Sequence, residues 1–428
     1  MSQEHPAGPS SPIRAWSGPL WGTSARTCPP VSDGACDVLV VGAGIVGLTT
    51  ALAAARAGAS VIVTDRARLG AGTSASTTGV ASVLHGTACQ EILSAHGLDA
   101  VTGYLDDLGR AMTFIRAEVT AGGVPARELP CLAAVEDGHH AHFLQRERAA
   151  MRPAGINPEV DDVPRLPFPT RPAISVPGGV ALDPRQYVEA LGRAVVATGS
   201  LLFEGSTLDR LDRGRPVSAH FTGTDESGRQ VGATVRAGSV VLATGAPHPD
   251  PALIGARLVP VRVQAIAANG LDLTGAWRLV DDPDRPIELR PGHRPGQVVV
   301  AGAARPPGSL RVPGRPGPDP ADELTAWVAG HLPGLEVTHR WSYDAWRSYD
   351  GLPLVGELGM ALPGVYVATG FGDDHTALAT AGALQLADHL VGGDPRLPWS
   401  PVHPRGPVGA QLRGLSRALG SRWVRSSW

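Results

Sequence analysis

The pattern of apolar and polar residues changes sharply at Asp37. Residues 1–34 are rich in Pro, Ser and Gly, with isolated Trp16 and Trp21, and read as an extended N-terminal arm. Val38-Leu39-Val40-Val41 is then a continuous apolar run, as expected of a parallel strand buried on both faces. Leu48 to Ala57 reads as a helix of small apolar residues, stopped by Gly58. Ser60 to Thr64 is a second apolar strand, closed by Asp65. Strand, helix and strand together predict one βαβ unit.

Leu98–Gly122 and Glu136–Met151 are helical in pattern and more charged. Asp183-Pro184 introduces a helix over Arg185–Thr198. Ser239 to Leu242 is an apolar strand running into Ala243-Thr244-Gly245, and 257–304 is strand-like with Pro and Gly punctuation. Arg305–Pro320 reads as a proline-rich surface loop and Ala321–His331 as a helix. Val365 to Ala368 is a last buried strand, and Thr376–Val391 a last helix ended by Gly392-Gly393. The alternation predicts an α/β fold: a Rossmann-like nucleotide-binding domain and a second α+β domain built on an antiparallel sheet. The first is expected from 35–97, 175–246 and 340–400, and the second, a substrate or cap domain, from 98–174 and 247–339. Residues 401–428 read as an Arg-rich tail.

Composition narrows the function. With 428 residues and 43% apolar content the chain can bury a large core. A net charge of -3 and 5% aromatics give neither the basic field nor the stacking surface of a nucleic-acid binder. No run of 18 apolar residues is present, so no membrane span is expected, and no secretory signal is read. Cys28, Cys36, Cys89 and Cys131 show no C-x-x-C or Cys/His ligand spacing. They predict free thiols in a reducing, cytoplasmic setting, and no metal. The chain has no lysine, which removes Schiff-base and lysine-base chemistry.

Gly42-Ala43-Gly44-Ile45-Val46-Gly47 lies between the first strand and helix, with Asp65 about 20 residues on, the context that makes G-x-G-x-x-G informative. Gly42 permits the tight turn, Gly44 lets a pyrophosphate approach the backbone, and Gly47 lets helix and strand pack closely. The helix start, with Ile45 and Val46, offers free N–H groups to phosphate, while Asp65 and the adjoining Arg66 are placed for the ribose side. Three later segments select FAD over NAD. Gly70 to Gly79 is small and hydroxyl-rich, and its Ser76, Thr77 and Thr78 suit the edge of a flat ring. Thr244-Gly245 follows a buried strand. Gly370-Phe371-Gly372 leads into the last helix at Thr376, whose start can face the pyrimidine end of a flavin.

In this order the pieces resemble the FAD-dependent oxidoreductases of the D-amino-acid oxidase superfamily, which includes glycine and sarcosine oxidases. They also resemble a subgroup of it that often carries a C-terminal Rieske iron–sulfur domain. That subgroup reads T-G-H-T-T-A-K-V-T-A-L-H-G where this chain runs from Ser74 through Thr77-Thr78 to His85-Gly86. Arg340-Trp341-Ser342, Asp350-Gly351-Leu352-Pro353-Leu354-Val355-Gly356 and an early Leu20-Trp21 also have counterparts. The resemblance spans roughly residues 17–400. The subgroup's first His falls on Ser76 and its Lys on Val80, and Asp373-Asp374-His375 is specific to this chain. No C-x-H…C-x-x-H pattern occurs, so a fused Rieske domain is not expected.

The resemblance implies hydride transfer from a small amine or amino acid to flavin N5, a step for which the protein supplies position and charge. His85 and His375 are candidates beside the ring, with ordinary structural histidines as the alternative. Arg347 and Arg262 are candidates to clamp a substrate carboxylate, with solvated arginines as the alternative. Asp374 reads as a helix N-cap, with a catalytic acid as the alternative. The other reading is an FAD-binding electron-transfer protein that works with a separate iron–sulfur protein as redox partner.

Overall fold

The first apolar run is buried on both faces because each face has its own cover. Val38 and Val40 pack into a cluster built mainly with helices, and Leu39 and Val41 into a second cluster on the other side. The computed structural model describes residues 19–22, 28–161, 166–171, 173–225, 227–245, 254, 257–305, 320–348, 351–359, 362–372, 375–392 and 399. Most of the arm, the centre of the 305–320 loop, Asp350, Asp373, Asp374 and the tail lie outside the described residues.

The chain runs through β1 (Gly34–Val41), α1 (Ile45–Arg56), β2 (Val61–Thr64), β3 (Val80–Ala81), α2 (Ala88–His96), α3 (Leu98–Gly122), β4 (Ala126–Ala134), α4 (Ala141–Met151), β5 (Glu159–Asp161), β6 (Ala173–Leu182) and α5 (Pro184–Ala197). It continues through β7 (Leu201–Phe203), β8 (Ser206–Asp212), β9 (Val217–Thr224), β10 (Gln230–Leu242), β11 (Leu258–Asn269), β12 (Ala276–Leu279), β13 (Ile287–Pro291), β14 (Gln297–Arg305), α6 (Pro320–His331), β15 (Glu336–Ser348), β16 (Leu354–Glu357), β17 (Val365–Thr369) and α7 (His375–Leu390).

The first sheet carries parallel strands in the order β7-β2-β1-β10-β17, with β16 antiparallel at the edge. Helices α1, α3, α5 and α7 cover one face. The antiparallel pair β8–β9 continues from the first half of β10 and contributes Val217, Ala219 and Phe221 to the cluster on the other face. The second sheet runs β15-β11-β14-β13-β12-β4-β6-β3 and is antiparallel except where β12 meets β4. Its strands alternate as half-buried strands do. Ile266, Trp277, Leu279, Leu289 and Val300 pack against Leu324 and Val328 of α6. The opposite face presents small residues, among them Ala265, Ala267, Ala276 and Ala301.

Sheet membership departs from the expected boundaries. β6 and β15 both pair within the second sheet, although 175–246 and 340–400 were assigned to the nucleotide-binding domain. β15 goes there because Trp341 and Tyr343 turn inward opposite Ala265 and Val263. α3 joins the helices of the first sheet, although 98–174 was assigned to the cap, because its apolar stripe through Tyr104, Leu105, Leu108 and Ile115 packs with α7 and α5. Residues 138–140 form a short 3-10 turn in which Asp137 accepts from the His139 amide, so the helix expected from Glu136 begins at Ala141.

One buried carboxylate ties two helices. Glu147 of α4 is fully buried and accepts from the amides of Cys89 (3.0 Å) and Gln90 (2.8 Å) at the start of α2. Burial outweighs those two bonds and pushes its pKa up to about 7. The native state therefore holds this proton more tightly than the unfolded chain, whose Glu titrates near about 4.3. Its contribution to stability falls as pH rises between those values and is level above the upper one. Comparing urea unfolding of wild type and Glu147→Gln across pH 4 to 8 tests this. The stability difference, wild type minus variant, should shrink as pH rises and stay constant above about 7. A difference independent of pH would contradict it.

Candidate cofactor and substrate site

The carboxyl ends of β1, β10 and β17 lie side by side, because these strands are parallel neighbours. Ligands of open α/β sheets bind at this edge. Gly42 turns the chain out of β1 with φ +113°, and a Cβ there would stand 2.3 Å from the Ala243 oxygen. A left-handed φ alone costs a side chain about 1–2 kcal/mol; the overlap with backbone is the stronger veto. A Cβ on Gly47 would stand 1.9 Å from the Gly42 oxygen, so α1 presses directly on the turn. Gly44 is the N-cap and gives α1 no side-chain cap; the Ile45 amide donates instead to Ser74 Oγ (3.1 Å). Val46 is half-buried.

Asp65 ends β2 facing this turn. Its Oδ2 accepts from the Ala43 amide (2.7 Å) and its Oδ1 from the Ala67 amide (2.8 Å). A carboxylate has about four acceptor sites, so capacity remains for hydroxyl groups. Arg66 is exposed beside it. The Thr244-Gly245 turn is pinned to β17, because Thr369 Oγ1 donates to the Gly245 oxygen (3.1 Å). Gly370 and Gly372, both at positive φ, carry the chain from β17 against β11 and β15, where the Gly372 amide donates to Trp346 O (2.7 Å). α7 follows, with Thr376 buried in its first turn.

The hydroxyl-rich loop is held by two indoles. Trp341 Nε1 donates to the Ser76 oxygen (2.7 Å) and Trp21 Nε1 to the Thr77 oxygen (3.1 Å). The Leu20-Trp21 and Arg340-Trp341-Ser342 motifs, distant in the chain, thus grip consecutive carbonyls. Trp21 is itself seated: the fully buried Arg290 guanidinium lies 4.8 Å from its ring centroid. Burial depresses the Arg290 pKa to about 10. Across the loop, Thr78 Oγ1 donates to Glu288 Oε1 (2.7 Å).

A partly open cavity lies where the loop meets the small-residue face of the second sheet. Thr77, Thr78, His85 and Thr376 line it, with Val80 of β3 beside them. His85 is buried, with Nδ1 2.6 Å from the Tyr104 hydroxyl. His375 opens α7, and its side chain lies outside the described residues. Arg262 and Arg347 do not line the cavity. Arg262 is half exposed and pairs two-pronged with Asp344 (2.6 and 2.8 Å), its partner across β11 and β15. Arg347 Nη1 donates to the Asp284 oxygen (2.9 Å).

The second sheet supplies lining residues that the sequence reading missed: Cys131, Arg278 and Glu288. Their signal was a charge set between apolar residues, in Trp277-Arg278-Leu279 and Ile287-Glu288-Leu289. Burial pushes the Cys131 thiol up to about 12, so little of the nucleophilic thiolate forms there at neutral pH. Among the described residues no cluster of His, Cys, Asp and Glu suits a metal, and no helix is long and apolar enough to cross a membrane.

The sequence profile of the FAD dependent oxidoreductase family, DAO, matches residues 37–389. The chain belongs to this family. FAD is its cofactor, and it is an FAD-dependent oxidoreductase. The residues fit that group: a glycine turn without side chains, a helix start lacking its own side-chain cap, and a cavity walled by hydroxyls. A Bacillus subtilis (strain 168) protein whose name describes it as a Rieske 2Fe-2S iron-sulfur protein, YhfW, is 22% identical over 373 residues, covering 83% of this chain and 69% of that protein. Glycine oxidase from Geobacillus kaustophilus superposes with a TM-score of 0.68 at 18% identity, covering 87% of this chain and 100% of that one. L-proline dehydrogenase from P. horikoshii gives 0.65 at 17%, covering 87% and 98%. L-amino acid deaminase from Proteus vulgaris gives 0.66 at 14%, covering 90% and 100%. At these identities the solved structures establish the shared fold.

Purified family member should therefore be yellow and release FAD on denaturation. Gly44→Val should leave it folded and colourless, because a branched side chain would fill the space between the α1 start and Ser74, already 2.8 Å from a Cβ at this position. Flavin absorbance per chain and circular dichroism check both halves, and a variant that keeps its flavin would contradict this placement.

Proposed function

We propose that this oxidoreductase oxidises a small amine or amino acid in the cavity between the hydroxyl-rich loop and the second sheet. The observation that carries this reading is the cavity itself, with hydroxyls and a helix start on one wall and opposed charges on the other. When bound, FAD supplies the two-electron acceptor for a C–H bond next to nitrogen. Gly42, Gly44 and Gly47, with the α1 start at Ile45 and Val46, receive the pyrophosphate. Asp65 and Arg66 serve the ribose side. Thr244 and Gly245 flank the middle of the cofactor. Ser76, Thr77, Thr78, Gly370, Gly372 and Thr376 surround the ring. His85, fixed by Tyr104, offers a polar edge, and His375 at the head of α7 is the second candidate there. The names of the solved relatives, glycine oxidase, L-proline dehydrogenase and L-amino acid deaminase, support an amino-acid substrate. The free cysteines among the described residues support a reducing, cytoplasmic setting. Anaerobic mixing with a panel of amines and amino acids should bleach the flavin with at least one of them; no bleaching by any would overturn the reading.

One observation favours a separate redox protein over oxygen as electron acceptor. Val80, standing where the resembling subgroup has lysine, lines the cavity, and the chain has no lysine to replace it. Oxygen gains negative charge as it is reduced, and a nearby compact cation lowers that barrier; the cavity's own cation, Arg278, is bulkier and its charge more diffuse than a lysine's. Reduced protein should therefore react slowly with oxygen and faster with an artificial dye. Val80→Lys should raise the oxygen rate in stopped-flow mixing. Reoxidation of wild type as fast as in a lysine-bearing oxidase would remove this role for position 80.

A further inference from the structure

Another recess opens on the second sheet, where the end of β11, the turn from β13 to β14 and the start of β15 meet Leu20 of the arm and Gln186 of α5. Its polar lining is made of amides and basic groups, among them Asn269, His293, Arg294, Gln297 and His339. No carboxylate is among its described lining residues. One acid lies behind it: Asp183 is buried 3.7 Å from His293 Nε2 and already accepts from the Gln186 amide (2.9 Å) and Nε2 (2.7 Å). Glu336, across from Asn269 on β15, is exposed and outside the lining. Burial, and then the cationic Arg290 beside it, hold the His293 pKa below its ordinary value. Arg294 therefore carries the fixed charge of the recess, and its guanidinium has no protein partner among the described residues. A guanidinium offers five N–H donors in one plane, a geometry that suits an oxyanion.

The recess adjoins the anchor of the hydroxyl-rich loop. Gln297 alternates with Val299 and Ala301 along β14, and His339 with Trp341 and Tyr343 along β15, so the recess lies on the face that carries the Trp21 cluster. The His293 ring meets the Trp21 ring edge-on, with centroids 4.6 Å apart and planes at 77°. Leu20, next to Trp21 in the chain, lines the recess, and Arg185, next to Gln186, donates to the Trp21 oxygen. Trp21 Nε1 in turn holds the Thr77 carbonyl, and Thr77 lines the cavity. One indole thus touches a residue of each space.

We propose that this recess binds a small oxyanion of the phosphate type, and that its occupancy tightens the hold on FAD through Trp21. An anion there bridges Arg294 and the other donors beside Leu20 and His293, the two recess residues that flank Trp21. A loop whose anchor is already ordered loses less conformational freedom when flavin binds, so each ligand favours the other. The link to FAD rests on the reading of the hydroxyl-rich loop as a wall of the flavin site.

Sulfate, inorganic phosphate and glycerol phosphate are titrated calorimetrically into FAD-loaded protein, in which the cofactor already fills the glycine turn. Each should bind at one site per chain. An ester that binds tighter than the free ions identifies a phosphorylated metabolite as the occupant, and an ester that binds no tighter identifies the free ion. Absence of binding would overturn the site. Arg294→Gln combined with His339→Gln should weaken sulfate binding roughly tenfold, whereas Arg294→Lys should keep most of it. Unchanged binding in the double variant would also overturn the site. If that variant does not fold, Arg294→Gln alone, at an exposed position, gives the same reading with smaller amplitude. Sulfate should lower the Kd of the apoprotein for FAD roughly fivefold. Competition at the glycine turn would raise that Kd instead, and an equal gain in the double variant would be a general salt effect; either would overturn the link. Trp21→Phe keeps a ring and removes the N–H to Thr77. It should bind FAD more weakly, still bind sulfate and lose the gain. A full gain in this variant would overturn the route through Trp21. An FAD affinity unchanged in it without sulfate would overturn the loop as the flavin's wall, and the link with it, while the anion site stands.

Discussion

The site depends on how closely two stretches of backbone approach where β1 turns into α1. The Gly42 position lies against the Ala243 carbonyl and the Gly47 position against the Gly42 carbonyl, with room for hydrogen alone at each Cα. That approach brings the end of β10 beside the glycine turn and the start of α1 down onto it. The helix dipole and its free amides then point at the carboxyl edge of the sheet. A methyl group at either position would push backbone against backbone, and no side-chain rotation could relieve it.

The second constraint joins the two sheets. The hydroxyl-rich loop has few apolar residues of its own and would be mobile if left to itself. It is ordered by groups from elsewhere: Ser74 on the α1 start, Trp341 and Trp21 on consecutive carbonyls, and Glu288 on Thr78. The small residues on the facing side of the second sheet, including Ala265, Ala267 and Ala301, leave space for the indoles. Buried aromatic area holds Trp21 and Trp341 in place, and their N–H groups then have fixed directions. The hydroxyl-rich loop and the facing wall of the cavity are thus one packed unit.

Elements close in the chain were the legible ones. The glycine turn, Asp65 and the strands around Val38 and Val365 declare themselves because their chemistry is local. The boundaries of the two sheets were less legible, because β6, with Pro177-Gly178-Gly179 in its middle, lacks a strand-like pattern and β15 was noticed only for its Trp motif. The strand pattern alone turns Arg262 toward the cavity, whereas its guanidinium is taken by the cross-strand partner Asp344. Arg278 and Glu288 were overlooked for the converse reason. Each is one polar residue in a short apolar strand, and only the pairing of β12 with β13 sets them side by side.

The order of the walls has a consequence for biosynthesis. The glycine turn and Asp65 emerge early from the ribosome, and β10, which flanks them, comes almost two hundred residues later. Trp341, β17 and the start of α7 follow still later. The nascent βαβ unit can fold locally while its hydroxyl-rich loop still lacks an anchor, the far wall of its cavity and the helix that closes it. Flavin uptake at the completed site therefore waits until the start of α7 has emerged. Until then, the half-built sheet edge at β1 has no neighbour, and it is the surface that a chaperone would need to cover.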